Sequence, residues 1–90
     1  MPHLLVKHAV KDFDRWSNVF TAQRNAHENY GMKLQWLMRD VNDPNMLVFM
    51  FEVESIASAQ EFMNRPGQEK VGEEAGVTGE PLVMFLDTIK

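Results

Sequence analysis

The 90-residue sequence predicts an α+β sandwich of the ferredoxin-like type, with the element order β-α-β-β-α-β. Three observations predict it. Strand-like runs at both ends and in the middle of the chain alternate with helical stripes. The segment Asn42-Asp43-Pro44-Asn45 joins the two middle strands as a tight turn, with Pro44 fixing φ at its second position. Glycine or proline closes each helical stretch. Two right-handed crossovers around an antiparallel sheet then give the strand order 4-1-3-2 and place both helices on one face.

Taken in order, His3 to Val10 reads as the first strand, because Leu4, Leu5, Val6 and Val10 are apolar or β-branched. Asp12 suits an N-cap. Phe13, Trp16, Val19, Phe20, Gln23 and His27 follow at helical spacing, and Gly31 ends that helix in a left-handed conformation. Met32 to Asp40 and Met46 to Glu54 are the hairpin strands. Ser55 caps a second helix whose stripe is Ile56, Ala59, Phe62 and Met63, and Asn64-Arg65-Pro66 stops it. Pro66 opens a short helix through Val71 and Ala75, closed by Gly76. Gly79-Glu80-Pro81 reads as a loop before a last strand from Leu82 to Ile89.

Composition narrows the function classes. A chain this short makes one domain, residues 1–90. Apolar residues are 44% and charged residues 24%, which argues against disorder. The net charge is −4, so nucleic acid is not an expected partner. The longest apolar run, Met46 to Phe51, is too short to span a membrane. No apolar signal-peptide run opens the chain, and cysteine is absent, which excludes thiolate chemistry and leads us to expect a cytoplasmic protein. The first half carries a net +1 and the second half −5; Glu69, Glu73 and Glu74 read as the solvated face of a short helix.

The strands are apolar on both faces. Leu34, Trp36 and Met38 fall on one face of the second strand, with Gln35, Leu37 and Arg39 on the other. In the third, Leu47, Phe49, Phe51 and Val53 oppose Val48, Met50 and Glu52; in the fourth, Leu82, Met84 and Leu86 oppose Val83 and Phe85. Side chains alternate along a strand, so one helical layer cannot cover both sets. A second copy packed sheet to sheet removes the exposed patch, and a homodimer is expected.

The run Val6-Lys7-His8-Ala9-Val10-Lys11-Asp12-Phe13-Asp14-Arg15-Trp16, then Phe20, then Asp43-Pro44-Asn45, then Glu74-Ala75-Gly76-Val77, resembles small proteins of the dimeric α+β barrel superfamily, which includes antibiotic-biosynthesis-monooxygenase-like domains. The resemblance covers nearly the whole chain. It implies a ferredoxin-like protomer, dimerisation through the sheet face and, as in the enzymatic members, a pocket between sheet and helices. Some members oxidise aromatic polyketides without a cofactor; others degrade haem with an Asn, Trp and His set. Here the first strand offers no Asn, the third no Trp and the last short helix no His, which disfavours haem degradation. Its motifs are mostly structural, so they speak to fold more than to function.

Candidate site residues follow from chemistry. His8 on a central strand is either a proton acceptor at a pocket floor or a buried neutral histidine with a plain structural partner. His27 either faces the pocket or sits as a cation at a helix C-terminus. Trp16 and Trp36 would stack a planar ligand or pack the core and an interface. Arg39 would hold an anionic group or pair with Glu52 across the hairpin. The methionines would line an adaptable pocket or fill gaps. His3 and His8 point to opposite strand faces, and no HExxH, cysteine cluster, phosphate loop or GxSxG motif exists, so neither metal nor cofactor is expected. Two function classes remain. One is a dimer that binds a small hydrophobic or aromatic molecule between sheet and helices. The other is a cofactor-independent monooxygenase-like enzyme acting on an aromatic substrate.

Overall fold

Each crossover of the chain returns the next strand to the same antiparallel sheet. A computed structural model describes residues 1–89. Its elements are β1 (His3–Val10), α1 (Phe13–Ala22), α2 (Arg24–Asn29), β2 (Met32–Arg39), β3 (Met46–Val53), α3 (Ile56–Met63), α4 (Gln68–Ala75) and β4 (Val77–Leu86). The strand order is β2-β3-β1-β4, the expected order read from the other edge.

Local chemistry sets the helix ends. Asp12 Oδ1 accepts from Asp14 N at 3.3 Å, and Ser55 Oγ accepts from Ser58 N at 3.0 Å, so both expected N-caps are in place. Gly31 and Gly76 adopt φ of 70° and 77°, the left-handed conformation that ends a helix. The first helix is not continuous to Tyr30. Gln23, at φ −87° and ψ 0°, breaks it into α1 and α2 with a tighter turn in which Gln23 N donates to Phe20 O.

The register across all four strands explains the two-faced pattern. On the helix side, Leu34, Phe51, Leu4 and Phe85 form one row, and Leu37, Phe49, Val6 and Val83 the next. On the open side, Trp36, Met50, Leu5 and Met84 form a row that is apolar from edge to edge. Beside it lie Met38, Val48, Lys7 and Leu82. The helices seal only the middle of the first set: Leu4, Leu47, Phe51 and Val53 are fully buried, but Leu34 and Val83 on the edge strands are 40% and 41% exposed, and on the open side Met38, Leu82 and Met84 are 57%, 50% and 44% exposed.

Two irregularities depart from the simple alternation. Leu34 pairs with Phe51 and Trp36 with Met50, which leaves Gln35 as an extra residue. This bulge puts Leu34 and Trp36 on opposite faces and places Leu37 and Arg39 on the same side as Leu34. It also sets Arg39 opposite Leu47, while Glu52 faces Lys33; the Arg39–Glu52 pair does not form. Arg39 instead lies over the Phe13 ring at 4.9 Å. The second irregularity is in β4. Ala9 pairs with Thr78 and Lys7 with Leu82, so Gly79-Glu80-Pro81 is accommodated as a bulge within a strand opposite His8. The last strand therefore begins at Val77, earlier than the sequence pattern indicates, and ends at Leu86.

Candidate functional site

The helical layer does not close completely on the sheet. A cavity of about 300 Å³ remains between β1, β3, β4 and helices α1 to α4. Its floor is Leu4, Val6 and Phe49, its roof Trp16 and Phe20, and its sides come from α4 and the β4 bulge. That volume reaches the lower end of small-molecule sites, which are mostly apolar with a few placed polar groups.

His8 is the principal polar group of the floor. It alternates inward from β1 between Val6 and Val10 and is 9% exposed. Its ring stands edge-on to Phe49, at 5.4 Å between centroids, and to Trp16. The β4 bulge removes the residue that would pair across from it. Its Nε2 is buried and meets no hydrogen-bond partner among the described residues. Burial pushes the imidazole pKa down, so the ring is neutral at pH 7. A neutral imidazole can accept one hydrogen bond and donate another. The plain structural partner that a buried histidine normally has is missing here.

His27 reaches the same cavity from α2. It is enclosed by Phe20, Phe51 and Phe62, with centroids 5.0, 4.9 and 5.1 Å away. Burial lowers its pKa to about 4, helped by the nearby Arg65 cation and only partly opposed by Glu28. It is therefore neutral at pH 7 and not a helix-capping cation.

Trp16, 2% exposed, forms the roof, stacked on Phe20 at 4.5 Å and 19° between planes. Trp36 and Arg39 lie outside the cavity: Trp36 is half-buried on the open sheet face, and Arg39 is exposed near Phe13. Met32 and Met63 line the cavity. Sequence reasoning missed Arg65 and Gln68; their i, i+3 spacing across the α3–α4 turn and the place of Gln23 in the first apolar stripe are the signals that could have found them.

A second, wider hollow of about 440 Å³ lies on the far side of His27, against β2. Its rim carries Arg24, Glu28 and Lys33 beside the exposed Leu34 and Leu37. It is larger but contains no buried unpartnered group, so the cavity over His8 is the better candidate site. Among the described residues no group of three or more His, Asp or Glu side chains is placed to hold a metal ion. Among the described residues no helix is long and apolar enough to cross a membrane.

No protein-family model matches the chain, and no curated protein matches it by sequence. Solved structures do match. One, an antibiotic biosynthesis monooxygenase, is 16% identical, with a TM-score of 0.74 over 100% of both chains. A Bordetella bronchiseptica protein named as a candidate antibiotic biosynthesis monooxygenase is 10% identical, with a TM-score of 0.83 over 99% of this chain and 97% of that one. SnoaB, a cofactor-independent oxygenase from Streptomyces nogalater, is 11% identical, with a TM-score of 0.79 over 99% and 93%. At these identities the likeness is one of fold. The chain has the ferredoxin-like α+β fold of antibiotic-biosynthesis-monooxygenase domains over nearly its whole length.

Proposed function

We propose that the protein binds a small, flat, hydrophobic molecule carrying a hydroxyl group in the cavity between sheet and helices. The observation that carries this reading is the unpartnered, buried Nε2 of His8 in a chamber lined mostly by apolar side chains and roofed by Trp16. An isolated acceptor there costs stability, and a ligand hydroxyl that donates to it recovers the lost hydrogen bond. The aromatic walls supply the remaining affinity through area and ring contacts. Calorimetric titration with naphthol tests the reading. Saturable binding to the wild type, weakened at least tenfold in His8→Leu, supports it; no binding to the wild type overturns it.

A second reading adds chemistry at the same site. Because His8 is unprotonated at pH 7, it is available to take a proton from a hydroxyaromatic. The resulting electron-rich anion is the species that reacts with dioxygen: a ring CH₂ and O₂ become C=O and H₂O. The fold shared with a cofactor-independent oxygenase favours this reading. Oxygen uptake on a reduced hydroxyaromatic, lost in His8→Leu, would distinguish a catalyst from a binder.

The working unit in both readings is a homodimer joined through the open sheet face. The edge-to-edge apolar row Trp36, Met50, Leu5 and Met84 is the surface a second copy covers.

A further inference from the structure

Arg65 lies in the turn between α3 and α4 and holds two carboxamides at once. Its Nε donates to Gln68 Oε1 at 2.8 Å, its Nη2 donates to Gln23 Oε1, and its guanidinium lies over the Phe62 ring at 4.4 Å. A guanidinium has five N–H donors and no acceptor. Each carboxamide must therefore turn its oxygen toward Arg65 and its NH₂ group away. Neither NH₂ group donates to a protein acceptor among the described residues. Gln23 comes from the α1–α2 junction and Gln68 from the first turn of α4, yet both line the cavity that contains His8.

We infer that Gln23 and Gln68, oriented by Arg65, form a double-donor end to the cavity that binds a carbonyl or enolate oxygen of the ligand. This rests on the ligand-binding reading above and adds the second polar group that the ligand carries. Trp16 packs against His8, and Gln23 lies seven residues further along the same helical segment. At 1.5 Å per residue Gln23 lies about 10 Å beyond Trp16 along that segment. Apart from His27, the rest of the lining is apolar, roofed by Phe20 and sided by Val71 and Val83. The ligand that fits is about two fused rings long, with a hydroxyl at one end and an oxygen acceptor at the other. Arg65 is a positioning residue. Its charge polarises both amides, which strengthens their NH₂ groups as donors. The same positive charge favours an enolate over a neutral ketone in their grip.

The test compares two probes that differ by one carbonyl oxygen, acetylnaphthalene and ethylnaphthalene, titrated calorimetrically into the full chain. We expect the wild type to bind the ketone about tenfold tighter, as one additional good hydrogen bond gives. Gln68→Glu keeps an acceptor for Arg65 but removes the Gln68 donors and leaves only those of Gln23, so the ratio of ketone to ethylnaphthalene affinity should fall. Gln23→Met and Arg65→Met should each reduce the preference as well, and they serve if Gln68→Glu does not fold. Equal affinities in the wild type, or a preference unmoved by these variants, would overturn this inference and leave the binding reading standing. Failure of both probes to bind would overturn this inference, and the naphthol titration then decides the binding reading separately.

Discussion

The imidazole of His8 meets the indole of Trp16 edge to face, with centroids 5.9 Å apart and planes at 80°. The contact joins a polar group that lacks a partner to the best-buried aromatic of α1. Replacing His8 by Leu removes a buried unsatisfied nitrogen and keeps an apolar side chain of similar bulk. Stability should rise by about 1 kcal/mol in urea unfolding, while naphthol affinity falls. A fall in stability would mean that His8 has a structural partner after all.

Trp16 carries a different weight. It packs on Phe13, Phe20, Phe49 and His8 at once. Trp16→Ala should cost about 3 to 5 kcal/mol, the range for a buried aromatic truncated to Ala. Thermal unfolding checks it.

Acid should destabilise the fold through His27. Its folded pKa of about 4 lies below the ordinary 6.5, so between those values the unfolded chain holds a proton that the folded chain does not. Stability is therefore greatest above about pH 6.5 and falls as pH drops toward 4. A difference of that size corresponds to about 3 kcal/mol. His8 acts in the same direction. His27→Leu should flatten most of this slope in urea titrations from pH 7 to 4. An unchanged slope would remove His27 as its source.

Arg15 ties α4 to α1. Its Nε and Nη2 donate to the carbonyls of Glu74 and Glu73 at 2.6 and 3.0 Å, at the C-terminal end of a helix with a single buried residue. Arg15→Met should cost about 1 kcal/mol and speed hydrogen exchange in α4 before any other helix. Uniformly raised exchange would contradict a local tether.

The open sheet face supplies an oligomeric test. Met50 lies in the central apolar row, between Trp36 and Leu5. Sedimentation should find a dimer for the wild type and a monomer for Met50→Glu, because an unpaired carboxylate in that row would be buried on association.

Much of the fold was legible because its signals are local. Asp12 and Ser55 are caps by side-chain chemistry, Gly31 and Gly76 end helices by their left-handed backbone, and the Pro44 turn sets the hairpin. The bulge at Gln35 was not legible: it contains no Gly or Pro, and its cause lies in pairing with β3. That one residue re-aimed Leu34 and Arg39, and with them the cross-strand partner expected for Arg39. The β4 bulge reads as a loop in the sequence because Gly79 and Pro81 look the same in either setting. At the site, Trp16 and His27 lie on one helical stripe as their spacing indicates, whereas the side of the sheet that His8 takes is set by how β1 packs under the helices. The Arg65 clamp was hidden because it joins residues 23, 65 and 68, which only the tertiary fold brings together.

The bulge at Gln35 also bears on how such a sheet avoids unlimited growth. β2 is an outer strand, and its free backbone groups are a template for any stray extended chain. An extra residue in mid-strand breaks the repeat a newcomer would have to match, and Lys33 and Arg39 add charge on either side of it. A molecule with so much bare apolar surface would otherwise be at risk of forming fibrils. In the proposed dimer the sheets meet face to face, and a ladder interrupted at its rim suits such stacking, which stops at two.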